Sequence, residues 1–414
     1  MTTTDASATP PASVLVLSTY YPPVLGGAET AASQLAEFLA ANGRRVTVVT
    51  KRTSFGIPSD EVRNGVRVIR VQPAGERTSA GKWMAIPAMV AEMSKRRDDH
   101  DVVVCIDFRG IGLAALVARG LTGRPVIFQA ATDGVLSVAA LRRTLHGFGI
   151  TAEWAQNLAL WPIQRLYDGA DAYPCISRAI EAETLKAGVS SQRVHYLPNP
   201  VDTQLFAPCG IDRKTELRQQ FSIESNAKVA IVVGRLSREK GQLDALRAWK
   251  SVDIPGSLLV LAGPDMPGHP WDLGPEARAF VEREGLTSRV RFTGGLSPQQ
   301  VPDWMRVADV AVQPSHFEAF GTSAIEAMAI GLPVIASDVG GLRDFVEPDT
   351  NGLRVPPQNA EALAAALQLL LSDGDRRARY ADGAKRTAAQ FDVRAVLGTF
   401  ERLIDDVVAA SGSR

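Results

Sequence analysis

Two glutamates stand in one of the most apolar segments of the chain. Glu318 and Glu326 lie in "FEAFGTSAIEAMAIGLPVIAS", residues 317–337, and seven small or apolar residues separate them. Helix signals begin near Thr322 and end at Gly331, which places Glu318 in the preceding loop and Glu326 in the second helical turn. The neighbours of Glu326 are apolar or small, so the helix is expected to be buried, and a buried carboxylate needs a partner. Either another protein group or the hydroxyls of a bound ligand would satisfy it.

Two cations follow an earlier apolar run. In "VVGRLSREKGQLDALRAW", residues 232–249, Arg235 lies in a loop and Lys240 stands where a helix begins near Gly241. A guanidinium fork and an ammonium group at this place could jointly hold a diphosphate. A solvated charged loop is the alternative interpretation.

A glycine pair follows the first apolar run of the chain. Gly26 and Gly27 lie in "STYYPPVLGGAET", residues 18–30, immediately before a helical pattern. Glycines leave room for a phosphate, and the following helix offers free amides at its N-terminus. The segment does not match the dinucleotide pattern GxGxxG or the P-loop, so a simple turn is an equal alternative.

Composition limits the class of protein. The chain has 414 residues, with 45 Lys and Arg against 45 Asp and Glu, which gives no support to nucleic acid as a partner. Its three cysteines are scattered and are expected to be reduced. Residues 1–12 lack the features of a signal peptide and are expected to form a flexible tail. No apolar run approaches the length of a membrane span, so a soluble protein is expected, and the reduced cysteines favour a cytoplasmic location.

The fold class follows from alternating short apolar runs and helical patterns. The apolar runs are rich in Val and Ile throughout, as buried parallel strands are, which predicts an α/β protein. The alternation pauses in a Pro-rich segment and then restarts, so we predict two doubly wound Rossmann-like domains that face each other across a cleft. The predicted parts are a tail, 1–12; an N-terminal domain, 13–197; a linker, 198–212; a C-terminal domain, 213–391; and a helix of about 392–410 that packs back on the first domain. In such sheets ligands bind beyond the carboxyl ends of the strands, where the three loops described above stand.

These loops, taken together and in order, resemble the retaining nucleotide-sugar glycosyltransferases of family four, also called glycosyl transferases group 1. The matching motifs are Gly-Gly-x-Glu, Gly-Arg-Leu…Lys-Gly and Glu-x-Phe-Gly…Glu-Ala-Met-x-x-Gly-x-Pro-Val, with support from "NPVDTQLF" and "GGLRDFV". The resemblance covers residues 14–407 and is strongest over 228–370. It implies the two-domain GT-B fold.

The resemblance also implies roles for individual residues. Glu326 would bind the ribose hydroxyls and Glu318 a hydroxyl of the donor sugar, and both Arg235 and Lys240 would hold the diphosphate. The catalytic residues implied are therefore Glu318, Arg235 and Lys240. Backbone groups implied to contact the donor are those of Gly27, Gly294, Leu296, Phe320, Gly321, Thr322 and Ser323.

The chemistry of sugar transfer agrees with these residue types. Cleavage of the bond between the sugar and the diphosphate leaves negative charge on phosphate, which cations and helix-end amides stabilise. We therefore expect neither a metal nor a cofactor beyond the nucleotide sugar itself. The Asp99-His100-Asp101 triplet imitates a metal motif, but it precedes a strand, so a solvated turn is expected. A glycoside hydrolase with an acid/base pair is the enzymatic alternative, and a ribose-binding glutamate disfavours it.

One residue departs from the family pattern. The family often has a histidine immediately after the strand in "PVIFQAATDG", where this chain has Gln129. Glutamine cannot act as a general base, but the retaining mechanism ascribed to the family lets the leaving phosphate take the proton. Gln129, Asp107 and Asp133 are then candidates for sugar or acceptor contacts, and ordinary loop polar groups are the alternative.

The acceptor side is less defined. Residues 81–97 combine Trp, Met and Ile with a basic end, and residues 141–162 contain Arg142, Arg143, Trp154 and Trp161. Such segments are typical of peripheral membrane contact at the inner face, while core packing is the alternative.

We predict a hexosyltransferase that uses a nucleoside-diphosphate sugar, UDP- or GDP-linked, and a carbohydrate, lipid-linked or small-molecule acceptor in polysaccharide or glycoside synthesis. A catalytically silent nucleotide-sugar-binding partner of an assembly complex is the alternative.

Overall fold

A computed structural model of the chain describes residues 11–24, 26–75, 83–108, 110–131, 151–155 and 168–412. The chain divides into two compact units. The first comprises Met1–Leu197 and Leu397–Arg414, and the second comprises Pro198–Val396. Each unit has its own largely parallel sheet with helices packed on it.

The first unit begins with a buried apolar strand, as the sequence predicts. Its strands are β1 (Val14–Ser18), β2 (Val46–Lys51), β3 (Asp60–Arg63), β4 (Val66–Val71), β5 (Val102–Ile106), β6 (Val126–Gln129), β7 (Tyr173–Cys175) and β8 (Val194–Tyr196). Its main sheet has the order β3-β4-β2-β1-β5-β6, and β7 pairs with β8. Every pair is parallel except β3 with β4. All residues of β1 and β5 are buried, which explains their unbroken apolar sequences.

One strand of this sheet has no apolar signal. Strand β3 has the sequence DEVR and is largely exposed, and it pairs antiparallel with β4 at the edge of the sheet. Because neither face of β3 packs into the core, its residues show neither alternation nor an apolar run. The sequence did not predict this strand.

The helices of the first unit largely follow the predicted positions. Those with bounds inside the described residues are α1 (Gly27–Ala41), α2 (Ile86–Lys95), α3 (Gly112–Thr122) and α4 (Arg178–Lys186). Within residues 81–97, Pro87 stands in the first turn of α2 rather than in the interior of the helix. Met89 and Met93 are fully buried, whereas Trp83 and Met84 are exposed. Most of the second segment, 141–162, lies outside the described residues.

The second unit repeats the plan with a sheet that is parallel throughout the described strands. These are β9 (Lys228–Val233), β10 (Ser257–Ala262), β11 (Val290–Gly294), β12 (Val310–Gln313), β13 (Val334–Ser337) and β14 (Gly352–Val355). The helices are α5 (Ile211–Gln220), α6 (Gln242–Lys250), α7 (Gly274–Arg283), α8 (Val301–Arg306), α9 (Thr322–Ile330), α10 (Ala360–Ser372), α11 (Gly374–Ala389) and α12 (Val393–Gly412). The core includes the fully buried Trp249 of α6.

The strand order of the second sheet shows where a ligand should bind. The order is β11-β10-β9-β12-β13-β14, so the direction of winding reverses between β9 and β12. A crevice forms at such a reversal, outside the carboxyl ends of the two strands. The loops that begin at Gly234 and Pro314 are therefore the places at which to look for chemistry.

The last helix connects the two units in sequence, since α12 begins in the second and its residues from Leu397 belong to the first. Arg44, whose side chain is 5% exposed, forms ion pairs of 2.6 Å with Glu401 and 2.7 Å with Asp405. A buried guanidinium needs such partners. This contact fastens the end of α12 to the first unit.

Candidate functional site

Lys240 and Glu318 meet at the reversal point of the second sheet. Nζ of Lys240 lies 2.8 Å from Oε2 of Glu318, and the side chains are 23% and 11% exposed. Lys240 ends a 3-10 turn, Arg238–Lys240, that follows β9, and Glu318 follows β12. Because β9 and β12 are hydrogen-bonded neighbours, the loops after them leave the sheet side by side.

Glycine permits the close approach of these loops. Gly241 has φ +68, and a Cβ at this position would lie 1.9 Å from the carbonyl oxygen of Pro314. No side chain fits such a gap, and the left-handed conformation also favours glycine. The glycine that follows Lys240 is therefore required by the packing of one loop on the other.

His316 ties the loop of Glu318 to the other loop and to α6. Its backbone N–H donates to the carbonyl of Glu239 at 2.8 Å. Its Nε2 lies 2.5 Å from Oδ2 of Asp244, a buried residue in the first turn of α6. A charge-assisted bond to a buried carboxylate holds the loop in one position.

The carboxylate of Glu318 is held by three donors on one oxygen. Besides Lys240, the side chains of Gln313 and Ser315 donate to Oε2, at 3.0 and 3.1 Å. No described residue bonds to its other oxygen, Oε1. One oxygen is thus fixed by the protein, and the other can accept a hydrogen bond from a ligand.

The backbone of Glu318 is fixed from a third loop. Gly341 N–H donates to the Glu318 carbonyl at 3.1 Å, and a Cβ on Gly340, where φ is +44, would lie 1.8 Å from the same oxygen. These glycines belong to the "GGLRDFV" segment after β13. They are needed because the chain passes directly over the Glu318 carbonyl.

Helix α9 begins with uncapped amides. Its N-cap is Gly321, in the left-handed region at φ 101, and no side chain of the described residues caps it. The N–H groups of the first turn, including those of Thr322 and Ser323, are free of helical partners by geometry. Such a helix end attracts an anion.

Glu326 lies one turn further along α9 and is partly exposed, although protein surrounds it densely. Burial disfavours its charged form and raises its pKa to about 8. Among the residues that the structure describes, none gives this carboxyl group a hydrogen bond or an ion pair. The partner that the sequence required is thus not found in the described protein.

Arg235 stands apart from the pair of Lys240 and Glu318. Its side chain is 55% exposed and lies 3.7 Å from Glu239, a weak surface contact. Its backbone is fixed, because the side chain of Gln242 donates to the Arg235 carbonyl at 2.7 Å. The guanidinium is therefore available to an anion.

The other predicted residues of this unit can offer only backbone groups to a ligand or lie at strand ends and in loops. Phe320 is 2% exposed and packs 5.3 Å from Phe345 between ring centroids, so only its backbone can serve a ligand. Gly294, with φ +70, ends β11 and bridges to Gly263 at the end of β10. Leu296 follows it in a partly exposed loop.

In the first unit, two predicted residues are adjacent. Asp107 follows β5 directly and Gln129 ends the neighbouring strand β6, and the Asp107 N–H donates to the Gln129 carbonyl at 3.0 Å. Asp107 adopts a left-handed conformation with φ 52. Gly27 begins α1, and the space around its Cβ position is open to 4 Å. Asp133 lies outside the described residues.

The triplet Asp99-His100-Asp101 is only in part the solvated turn that the sequence predicted, because the side chains of Asp99 and Asp101 are 53% and 41% exposed but His100 is not. His100 is buried, and its Nδ1 lies 2.8 Å from the Arg96 carbonyl. Asp101 accepts hydrogen bonds from the N–H and the hydroxyl of Ser13 at 2.8 and 2.7 Å. The histidine helps to join α2 to β5, a packing role that a short polar motif does not reveal.

The chain is similar to known proteins over most of its length. Residues 213–387 match the model described as glycosyl transferases group 1, and residues 26–200 match a glycosyl transferase 4-like domain. The chain is 37% identical over 392 residues to a D-inositol 3-phosphate glycosyltransferase of Jonesia denitrificans, and 30% identical over 380 residues to one of Xylanimonas cellulosilytica. Each alignment covers 88% of both chains.

The chain belongs to the glycosyl transferases group 1 family. It is an enzyme of the glycosyltransferase class, as the sequence predicted. Among solved structures, it resembles sucrose-phosphate synthase from Thermosynechococcus elongatus, with a TM-score of 0.81 and 26% identity over 96% of this chain and 100% of that one. The predicted GT-B fold is confirmed.

The family motifs did not reveal all the polar residues at this glycosyltransferase site. Gln313, Ser315 and the pair of His316 with Asp244 were not among the predicted residues, although they hold Glu318 directly or fix its loop. A glutamine at the end of the apolar run "DVAVQ" was the available signal. A polar side chain that ends a buried parallel strand faces the crevice where ligands bind.

Two further observations concern partners of the glycosyltransferase. Within the described ranges, no set of three or more His, Cys, Asp or Glu side chains is arranged to hold a metal ion. Every helix in those ranges is too short or too polar to cross a bilayer.

Proposed function

We propose that this glycosyltransferase transfers a hexose with retention of anomeric configuration from a UDP- or GDP-linked donor bound to the second unit. The observation that carries the proposal is the arrangement on α9 and the loop before it. Glu318 has one oxygen without a partner among the described residues, Glu326 has no partner among them either, and uncapped amides lie between the two. Hydroxyls of a sugar and a ribose, with a diphosphate between, match this order of groups.

The residues would act on the donor as follows. Glu326 accepts hydrogen bonds from the ribose hydroxyls, and Glu318 accepts one from the donor sugar. Lys240 has three N–H donors, of which one holds Glu318, so the others remain for the diphosphate. Arg235 and the amides of α9 complete the anion site of the second unit.

In the transfer, the bond between the anomeric carbon and the diphosphate oxygen breaks as the acceptor oxygen attacks the same face of the sugar. The bonding electron pair leaves with the diphosphate, which takes the proton of the acceptor hydroxyl. Lys240, Arg235 and the helix end stabilise the charge that develops. We propose that these groups supply the positive charge without a metal ion.

The acceptor is proposed from the relatives. Two of them are named for D-inositol 3-phosphate, so a phosphorylated polyol is the first acceptor to test. In the first unit, Asp107 and Gln129 are adjacent polar groups at strand ends and are candidates to contact it.

The test has two stages. Thermal unfolding with UDP, GDP and ADP should show a raised midpoint for one nucleotide. The matching glucose, N-acetylglucosamine and mannose donors are then incubated with D-inositol 3-phosphate, and the anomeric configuration of any product is read by NMR. Transfer with retained configuration supports the proposal, whereas an inverted product or a lack of response to all three nucleotides contradicts it.

Peripheral membrane contact is a separate proposal about the acceptor side. Trp83 and Met84, beside the start of α2, are 58% and 63% exposed, and basic residues follow at the end of that helix. A helix with exposed apolar side chains at one end and basic residues at the other suits an anionic lipid surface. Co-sedimentation with anionic vesicles at low salt should be lost in the double variant Trp83→Ser, Met84→Ser, and no sedimentation of the wild type would refute the contact.

A further inference from the structure

Gln313 links the two carboxylate-bearing parts of the site. It ends β12, is 4% exposed, and its Nε2 donates to Oε2 of Glu318 at 3.0 Å and to the hydroxyl of Ser315 at 2.9 Å. Its Oε1 accepts a hydrogen bond from the hydroxyl of Ser323, in the first turn of α9, at 2.8 Å. A single buried amide thus contacts both the loop of Glu318 and the start of the helix that carries Glu326.

The hydrogen-bonding groups around the Gln313 amide determine its orientation. If the amide were turned over, its oxygen would face the Glu318 carboxylate, and two acceptors would oppose each other. In the observed orientation, the amide nitrogen faces the carboxylate and the amide oxygen faces the Ser323 hydroxyl, so each group has a complementary partner. Gln313 can therefore hold Glu318 in only one way.

These hydrogen bonds hold the Glu318 carboxylate in one orientation. Gln313, Ser315 and Lys240 together place three donors on Oε2, so rotation of the carboxylate would break several bonds at once. Oε1 is then held in one position as the acceptor for the ligand. Of the three donors, Lys240 is also proposed to bind phosphate, whereas Gln313 is buried and acts through Glu318.

We propose that Gln313 is a positioning residue for sugar transfer, which sets the direction of the Glu318 carboxylate. This inference rests on the proposed function of Glu318. It implies that loss of the Gln313 amide misplaces the contact to the donor sugar and leaves the nucleotide end of the site, around Glu326, intact. Turnover and nucleotide affinity should therefore respond differently.

The test compares Gln313→Met with Gln368→Met. Methionine keeps the length of the side chain and removes its hydrogen bonds. Gln368 lies on α10 in the same unit, away from this site, and its side chain bonds to the backbone of Asp253, so it controls for the loss of a glutamine amide. Hydrolysis of the donor that the wild type accepts gives kcat and KM, and calorimetry with the free nucleoside diphosphate gives Kd.

We expect Gln313→Met to lower kcat by on the order of tenfold to a hundredfold, because small misplacements of reacting groups have effects of this size. The Kd for the free nucleotide should equal that of Gln368→Met. An unchanged kcat, or a parallel loss of kcat and nucleotide affinity, would overturn the positioning role. Neither result would contradict the proposed function, provided that the wild type binds the nucleotide and hydrolyses the donor.

Two further variants separate positioning from a loss of folding and from a direct contribution of Gln313. Ser323→Ala keeps Gln313 but removes the donor to its Oε1, so a smaller loss of kcat is expected even if Gln313→Met does not fold. Combining Gln313→Met with Glu318→Gln should cost less than the sum of the separate losses, because Gln313 acts through Glu318. Additive losses would show that Gln313 contributes independently of Glu318 and would overturn the positioning role.

Discussion

Lys240 and Glu318 form an ion pair of 2.8 Å although they are far apart in sequence and belong to loops that follow different strands. The pair exists because β9 and β12 are adjacent where the winding of the sheet reverses, and because Gly241 lets the loops touch. The sequence assigned Lys240 to the diphosphate and Glu318 to the sugar. In the structure each residue holds the other, so the sugar and phosphate ends of the proposed site are coupled.

This coupling predicts that Lys240→Met impairs both ends of the site. Loss of the ammonium removes a donor to phosphate and releases one of the three bonds that hold Glu318. Bonds to charged groups contribute about 1.5–3 kcal/mol, so nucleoside diphosphate affinity should fall about tenfold to a hundredfold, and turnover should fall further. Lys250→Met, which removes an ion pair of 2.7 Å with Glu284 elsewhere in the unit, is the control. Equal nucleotide affinity in the two variants would contradict the role of Lys240.

A second prediction concerns Glu318. Glu318→Gln keeps the shape of the side chain but removes its charge, so we expect turnover to fall much more than affinity for the free nucleoside diphosphate. The measurement is donor hydrolysis beside calorimetry with the nucleotide alone. Equal losses in both would show that Glu318 does not act at the sugar end.

The pH dependence of stability provides a third prediction. The pKa of Glu326 is raised from its ordinary value of 4.5 to about 8, so the folded state retains a proton that the unfolded state releases. The free energy of unfolding should therefore fall as pH rises from about 4.5 through about 8, by up to about 1.4 kcal/mol for each unit of pKa difference. Glu326→Gln should remove this loss.

Thermal unfolding of the wild type and of Glu326→Gln, measured over a range of pH, checks this prediction. The variant and wild type should unfold at similar temperatures near pH 4, and the variant should be the more stable at pH 9. If the unfolding temperatures of the two proteins changed in parallel with pH, burial would not disfavour the charged form of Glu326.

The glycines after β13 give a fourth prediction. Gly340→Ala adds a Cβ where the Glu318 carbonyl lies 1.8 Å away, so the loop must move and turnover should be lost along with stability. Gly268→Ala is the matched control, because φ there is also positive, at +76, but no atom lies within 4 Å of the new Cβ. The control should lose only about 1–2 kcal/mol from backbone strain. Similar activity in both variants would show that the contact to Glu318 does not matter.

Much of the second unit could be predicted from its sequence. Its buried parallel strands show as runs such as "KVAIVV", and the limits of α9 follow from Gly321 and Gly331 at its ends. By contrast, β3 was missed because an exposed edge strand has no hydrophobic pattern. The sequence predicts the ends of helices and strands where their residues are fully buried, but not where their residues are exposed.

The sequence named some of the residues that meet at the candidate site but did not predict which of them bond to each other. Motifs identified Glu318 and Lys240, but only the adjacency of β9 and β12 shows that they bond to each other. His316 reaches Asp244 in the same manner, across 72 positions of sequence. Contacts of this kind depend on strand order, which local patterns do not encode.

The carboxyl group of Glu326, which has no partner among the described residues, is proposed to bind the ribose of a nucleotide donor. Calorimetric titration of UDP, GDP and ADP into the wild type, Glu326→Gln and the control Glu282→Gln, an exposed residue of α7, tests it most directly. At about pH 9, where Glu326 with its raised pKa of about 8 is ionised, we expect one nucleotide to bind the wild type and the control alike and to bind Glu326→Gln at least about tenfold more weakly, roughly the contribution of one charged hydrogen bond. Equal affinity for Glu326→Gln, or no binding of any of the three nucleotides to the wild type, would contradict it.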